Sequence, residues 1–159
     1  MRFVEFGDQS ATLVTHTERP DLGDHAQGED FLSQWPAFMF HDPVSDEHYS
    51  VMYERCPEFQ FYIVDDGGSL LGNGNSIPVA WDGSPEDLQG GWDEALIRGT
   101  LGAKDGTRPT ALCALQATVS SLHGGRGLGP ALTNAMRVLA RDAGLDSLIA
   151  PVRPSLKAE

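Results

Sequence analysis

The sequence predicts a mixed α/β (α+β) domain, a twisted sheet flanked by helices, and three observations carry that prediction. Residues 110–119 (TALCALQATV) form a mostly apolar run of strand length, the pattern of a strand covered on both faces. A glycine-rich loop and an amphipathic helical pattern lead from it to a second such run, LDSLIAPV at 145–152. Strand, loop, helix and strand make a βαβ-like unit with two parallel neighbours. Upstream, FQFYIV (59–64) and LLGNGNSIPVAW (70–81) flank the turn cluster DDGGS and read as a β-hairpin.

The remaining elements follow in chain order. ATLVTHT (11–17) predicts a first strand, and Pro20, Gly23 and Gly28 mark a turn-rich stretch after it. Pro36 limits any helix between Glu29 and Phe40. DEHYSVMYER (46–55) predicts a short helix that ends before Pro57. In the return strand of the hairpin, Gly72, Gly74 and Pro78 predict a bulged or edge position. Ser84-Pro85-Glu86-Asp87 combines a cap, a proline at the first position and acids in the first turn, which predicts a helix from 84 to about 99. The last predicted helix runs from Pro130 to about Ala143. Leu132, Ala135, Met136, Leu139 and Ala143 lie on one stripe, and Gly144 is its stop.

Composition narrows the function. The 159 residues carry a net charge of −12. Lysine and arginine are what displace counterions from nucleic-acid phosphates, so a nucleic-acid partner is excluded as an expectation; an anionic membrane surface is disfavoured for the same reason. The charge is uneven. Residues 1–120 hold 6 Lys+Arg against 20 Asp+Glu, whereas residues 121–159 hold 5 against 3. An anionic ligand therefore belongs in the C-terminal quarter, although acids that merely keep the first segment in solution give the same pattern. Cys56 and Cys113 are far apart and form no CxxC pair, which predicts two reduced thiols in a cytoplasm. No cationic start precedes an apolar run at the N-terminus, and no stretch of membrane-spanning length is apolar.

The chemistry sits in Gly124-Gly125-Arg126-Gly127-Leu128-Gly129, which opens directly into the Pro130 helix. Glycines let the backbone turn tightly and bring its N–H groups close to a ligand. The helix start adds free donors and a partial positive charge, so the unit is an anion cradle suited to a diphosphate. No lysine follows as a P-loop requires, and the dinucleotide fingerprint fails at its third glycine, where Leu132 stands.

The stretch ATVSSLHGGRGLGPALTNAMRVLARDAGL resembles the acetyl-CoA-binding motif of the GNAT superfamily of N-acetyltransferases. Gly127 and Gly129 match its two small positions, and Arg126 a commonly basic one. Gly124 departs from it, standing where the family has Gln or Arg. Strands 110–119 and 145–152 look like the family's fourth and fifth, and the hairpin 59–81 like its second and third. The chain ends a few residues after the fifth, so the resemblance implies a C-terminally truncated form of the fold, with an exposed strand edge on which a homodimer could form. It implies one GNAT-like domain with an N-terminal part (1–58), a hairpin plus helical insertion (59–109) and an acetyl-CoA-binding unit (110–155).

By the same resemblance, backbone groups of Ala117, Thr118 and Val119 would bind the pantetheine arm of acetyl-CoA, coenzyme A or another acyl-CoA. The amides of Gly124, Gly125, Arg126, Gly127, Leu128 and Gly129 would hold its diphosphate. A small amine would attack the thioester directly, and the acidic N-terminal part would favour a cationic one. The alternative is a non-catalytic CoA-binding or interaction module. The general base is not identified. His123 reads as a surface residue, and His16, His25, His41 and His48 show no metal-ligand spacing, so no metal is expected. Glu54 and Glu58 read as solvent-facing. Cys113 reads as core, and Trp35, Phe38, Phe40 and Trp81 as aromatic core filling rather than pocket walls.

Overall fold

The computed structural model describes residues 1–88 and 90–152. Six strands form one mixed sheet in sequence order: β1 (Arg2–Phe6), β2 (Gln9–Thr15), β3 (Gln60–Val64), β4 (Leu70–Val79), β5 (Ala111–Val119) and β6 (Ser147–Ile149). The first five are antiparallel neighbours, and β6 joins β5 in parallel. The helices are α1 (Leu22–His25), α2 (Glu29–Leu32), α3 (Pro43–Arg55), α4 (Trp92–Asp105) and α5 (Leu128–Asp142). The last three residues of the expected 110–155 unit lie outside the described residues.

The predicted first strand is the second. β1 precedes it, burying Val4 and Phe6 while Phe3 stays exposed. That alternation spans only five residues and is easily missed. The Glu18 carboxylate accepts from the Thr15 N–H at 2.7 Å and its hydroxyl at 2.9 Å, closing the turn over 15–18 that holds His16, whose own N–H still donates to the Gln60 carbonyl at 2.7 Å. The 59–81 hairpin forms, and its return strand is bulged at Asn75/Ser76. It is not an edge strand, because β4 pairs with β3 on one side and β5 on the other. Its glycines answer to packing. A Cβ on Gly74 would come within 2.3 Å of Phe61 Cζ and 3.1 Å of Met136 Cε.

Helix α3 starts earlier than predicted, at Pro43, where the Asp42 carboxylate caps the Val44 N–H at 3.0 Å. The helix expected at 84–99 is displaced to 92–105. Ser84-Pro85 produces only a single 3-10 turn, Pro85–Asp87. The Gly90–Gly91 pair breaks the run, and Glu94 then reaches back to accept from the Gly90 N–H at 2.6 Å. Helix α5 begins at Leu128, two residues before its prediction. It buries Leu128, Ala131, Leu132, Ala135, Met136, Leu139 and Ala140, where each large side chain contributes about 1.5–3 kcal/mol. Ala143 is exposed and lies beyond the stripe, and Gly144 is the stop at φ +71°. The expected strand 145–152 shrinks to three half-buried residues, paired only with β5 among the described strands.

Candidate active site

Strand β5 is paired unequally on its two sides. It runs beside β4 along its whole length, but meets β6 only where Ala111, Leu112 and Cys113 face Ser147, Leu148 and Ile149. From Ala114 onward no described strand pairs with that edge. The Ser120 N–H donates to the Leu71 carbonyl at 3.0 Å, and the pairs Gly72–Val119, Asn73–Thr118 and Gly74–Ala117 follow in step. Hydrogen-bonded and non-bonded pairs alternate in an antiparallel ladder. The main chain of Thr118 is thus committed to β4, whereas the N–H and C=O groups of Ala117 and Val119 face the open edge. Leu115 is the extra residue at the bulge, and its carbonyl accepts from the Trp92 indole at 2.9 Å.

The glycine loop begins where this open edge ends. Ser120 anchors it, donating to the Asp30 carboxylate at 2.6 Å and accepting from the Leu122 N–H at 3.3 Å. Gly125 (φ +77°) and Gly127 (φ +82°) adopt the left-handed conformation that suits glycine. Gly124 and Gly129 have no such constraint, yet a Cβ on either would meet nothing within 4 Å. Their missing side chains serve no internal packing; they leave the main chain bare to the outside. Gly127 is the cap residue of α5 and supplies no side chain to it. Pro130 has no N–H, and the N–H groups of Gly127, Leu128 and Gly129 at the helix start have no partner among the described residues. The Leu128 side chain points the other way, into the core. This cradle fits a diphosphate.

Arg126 is exposed but engaged. Its guanidinium donates to Gln9, lies 2.9 Å from His123 Nδ1 and sits 5.4 Å from the centre of the Phe6 ring. It therefore clasps the loop to the β1–β2 hairpin.

Across the sheet from α5, a cavity of about 430 Å³ opens beside Gln116 of β5. Trp35, Phe38 and Phe40 line it, so they are pocket walls, not the core filling expected of them. Asp42, Asp46 and Asp93 bring carboxylates to it, and Tyr49, Trp92 and Gln116 form its floor. The Asp93 carboxyl is raised above the usual range, first by burial and then by the neighbouring Asp42 carboxylate. Trp81 stands elsewhere, donating to the Ser84 carbonyl at 2.8 Å. A larger cavity, about 610 Å³, lies between Arg55, Pro78 and Leu101 at the opposite end of β4, with no residue of β5 or the glycine loop in its wall.

Sequence reasoning missed what lies beneath the cavity. The sheet face under α3 carries Gln60, Tyr62, Asn73, Asn75, Gln116 and Thr118, an unusually polar interior. Gln60, Tyr62, Asn73, Asn75 and Thr118 are buried, and the Asn73 Oδ1 has no partner among the described residues. The one available signal was the alternation of Asn73 and Asn75 with Gly72 and Gly74, which put amides on one face and bare backbone on the other. Cys113 is core as predicted, its thiol pushed up to about 12 by burial. No group of three or more metal-ligating side chains is placed to hold an ion among the described residues. Nor is any helix there long and apolar enough to cross a membrane.

No family model matches this chain. It is 31% identical over 161 residues to the arginine N-acetyltransferase avaD of Aspergillus versicolor, a match covering 93% of this chain. Over that span the chain is similar to an N-acetyltransferase, and the loop–helix motif, the mixed sheet and the parting of β5 from β6 are consistent with a GNAT-like fold. The chain spans about half the length of this curated relative, 54% of it.

Proposed function

We propose that this chain binds acetyl-CoA, or another acyl-CoA, and supports transfer of the acyl group to the primary amine of a small cationic acceptor. The observation that carries the reading is the continuity of the open β5 edge with the bare amides before α5. Ala117 and Val119 would pair with the pantetheine arm as an added strand would, with Thr118 fixing their register. The Val119 N–H is suited to polarise the thioester carbonyl. The amides of Gly124, Gly125, Arg126, Gly127, Leu128 and Gly129 would hold the diphosphate, and Arg126 would trade Gln9 and His123 for a phosphate oxygen. Acetyl-CoA supplies the activated acetyl group.

The acceptor belongs in the 430 Å³ cavity, whose Gln116 adjoins Ala117 in the chain. Its aromatic walls suit a cation, guanidinium above all, and its carboxylates supply the counter-charge. The name of the relative, an arginine N-acetyltransferase, favours the same acceptor class. A reducing cytoplasm suits the two free buried thiols.

Calorimetry with acetyl-CoA tests the first half, and mass spectrometry of products from arginine, other cationic amines and neutral amines the second. Binding that weakens about tenfold, or about 1.4 kcal/mol, in Gly124→Val at unchanged melting temperature is the expected result. No binding at roughly millimolar acetyl-CoA would overturn the reading.

A further inference from the structure

Trp92 is the first residue of α4 and part of the cavity floor. Its indole N–H crosses to β5 and donates to the Leu115 carbonyl at 2.9 Å. Leu115 is the one residue of β5 with no opposite number on β4, because Asn75 pairs with Gln116 and Ser76 with Ala114. A bulged residue drops out of the ladder, so its carbonyl needs a partner from elsewhere. The indole is that partner. The helix that carries it is seated closely on the sheet: a Cβ on Gly99 of α4 would come within 2.5 Å of Ile77 Cγ1 on β4.

The bulge decides what the rest of β5 presents. Ile77 and Cys113 are paired on the α4 side of the sheet, and unbroken alternation from Cys113 would bring Leu115, Ala117 and Val119 to that side. The extra residue shifts the phase by one. Gln116 and Thr118 come there instead, opposite Asn75 and Asn73, and Gln116 reaches the cavity. The same step turns the N–H and C=O groups of Ala117 and Val119, rather than those of Gln116 and Thr118, to the open edge. We propose that Trp92 is a positioning residue for acyl transfer: its indole N–H holds the Leu115 carbonyl so that the Val119 N–H faces the acyl donor and the Gln116 side chain faces the acceptor. The proposal rests on the acyl-transfer reading and names the side chain that keeps its two halves in register. The ring walls the cavity; the N–H acts through the strand.

Replacing the Trp92 indole by a benzothienyl ring keeps its shape and exchanges only the N–H for sulfur. The same replacement at Trp81, whose indole donates to the Ser84 carbonyl at 2.8 Å away from both sites, is the matched control. Steady-state kinetics should show kcat about tenfold lower in the Trp92 variant, KM for both substrates within about twofold, and the parent kcat in the Trp81 variant. Both melting temperatures should stay within about 4 °C of the parent. Parent kcat in the Trp92 variant would overturn the proposal, as would a rise in acceptor KM at unchanged kcat, or a fall in kcat that the Trp81 variant shares. NMR of the parent protein's indole N–H groups, with Trp92 assigned by Trp92→Phe, needs no turnover. The Trp92 N–H should exchange slowly with solvent, and saturating coenzyme A should shift its resonance while leaving that of Trp81 in place. An unmoved Trp92 resonance, with coenzyme A bound by calorimetry, would sever the bulge from the donor edge and refute the proposal. If the parent protein acetylates no amine, the acyl-transfer reading falls and this role with it, while exchange at Trp92 still reports the bond to Leu115.

Discussion

Toward α5 the sheet presents Phe61, Ile63, Gly72 and Gly74, filled by Leu132 and Met136; toward α3 it presents Gln60, Tyr62, Asn73, Asn75 and Gln116. One face is closed by shape, the other by hydrogen bonds. Gln60 alone donates to the Cys56 carbonyl at 2.8 Å and the Ser76 carbonyl at 2.9 Å, and accepts from Asn75 at 3.0 Å. The difference teaches where each kind of order is used. Apolar packing fixes the helix whose first turn carries the bare amides of the glycine loop, because a close-packed wall transmits position. The polar face instead holds hydroxyls and amides in a set order through directional hydrogen bonds, which apolar packing could not provide.

The strongest break of that contrast is on the packed side. Gly74→Val, whose Cβ would start 2.3 Å from Phe61 Cζ, is expected to cost about 3 kcal/mol in urea unfolding. A loss under about 1 kcal/mol would mean that Phe61 and Met136 give way and the wall is softer than its geometry suggests. On the polar side, Gln60→Leu nearly keeps the volume but leaves the Cys56 and Ser76 carbonyls without their donor, for an expected loss of about 2 kcal/mol. If that variant were neutral, hydrogen bonding would not be what organises this face.

The smallest effect is expected at the cavity. The Asp93 carboxyl is raised in the folded protein, which therefore binds its proton more tightly than the unfolded chain does. Its contribution is fully present below the ordinary carboxylate range and is lost as pH rises through the folded value. Asp93→Asn should thus be as stable as the parent at neutral pH or more so, by under about 0.5 kcal/mol because the site is mostly solvent-screened. The same variant should raise KM for a cationic acceptor and leave KM for acetyl-CoA alone. An unchanged acceptor KM would remove Asp93 from the acceptor site.

The sequence was most legible where one local rule operates undisturbed. The apolar run at 110–119, the α5 stripe and the hairpin turn at 65–69 each depend on neighbours a few residues apart, and each forms, the stripe without Ala143. The helix placed at 84–99 failed because a good N-terminal signal at Ser84-Pro85 competes with Gly90–Gly91, and only the packed structure shows which wins. Trp35, Phe38 and Phe40 were misread because composition cannot tell a core wall from a cavity wall. His16 gave no signal at all. Its partner is 46 positions away, brought there by the pairing of β2 with β3.

By itself, the sequence determined the βαβ-like unit and its glycine cradle, since turn geometry, helix start and apolar period are properties of adjacent residues. Tertiary structure alone decided that β5 leaves β6 after three pairs, that Tyr49 and Tyr53 of α3 meet Asn75 of β4, and that Tyr62 meets His16. Both depend on register between distant segments, and register is set by how whole faces pack, which no local pattern encodes.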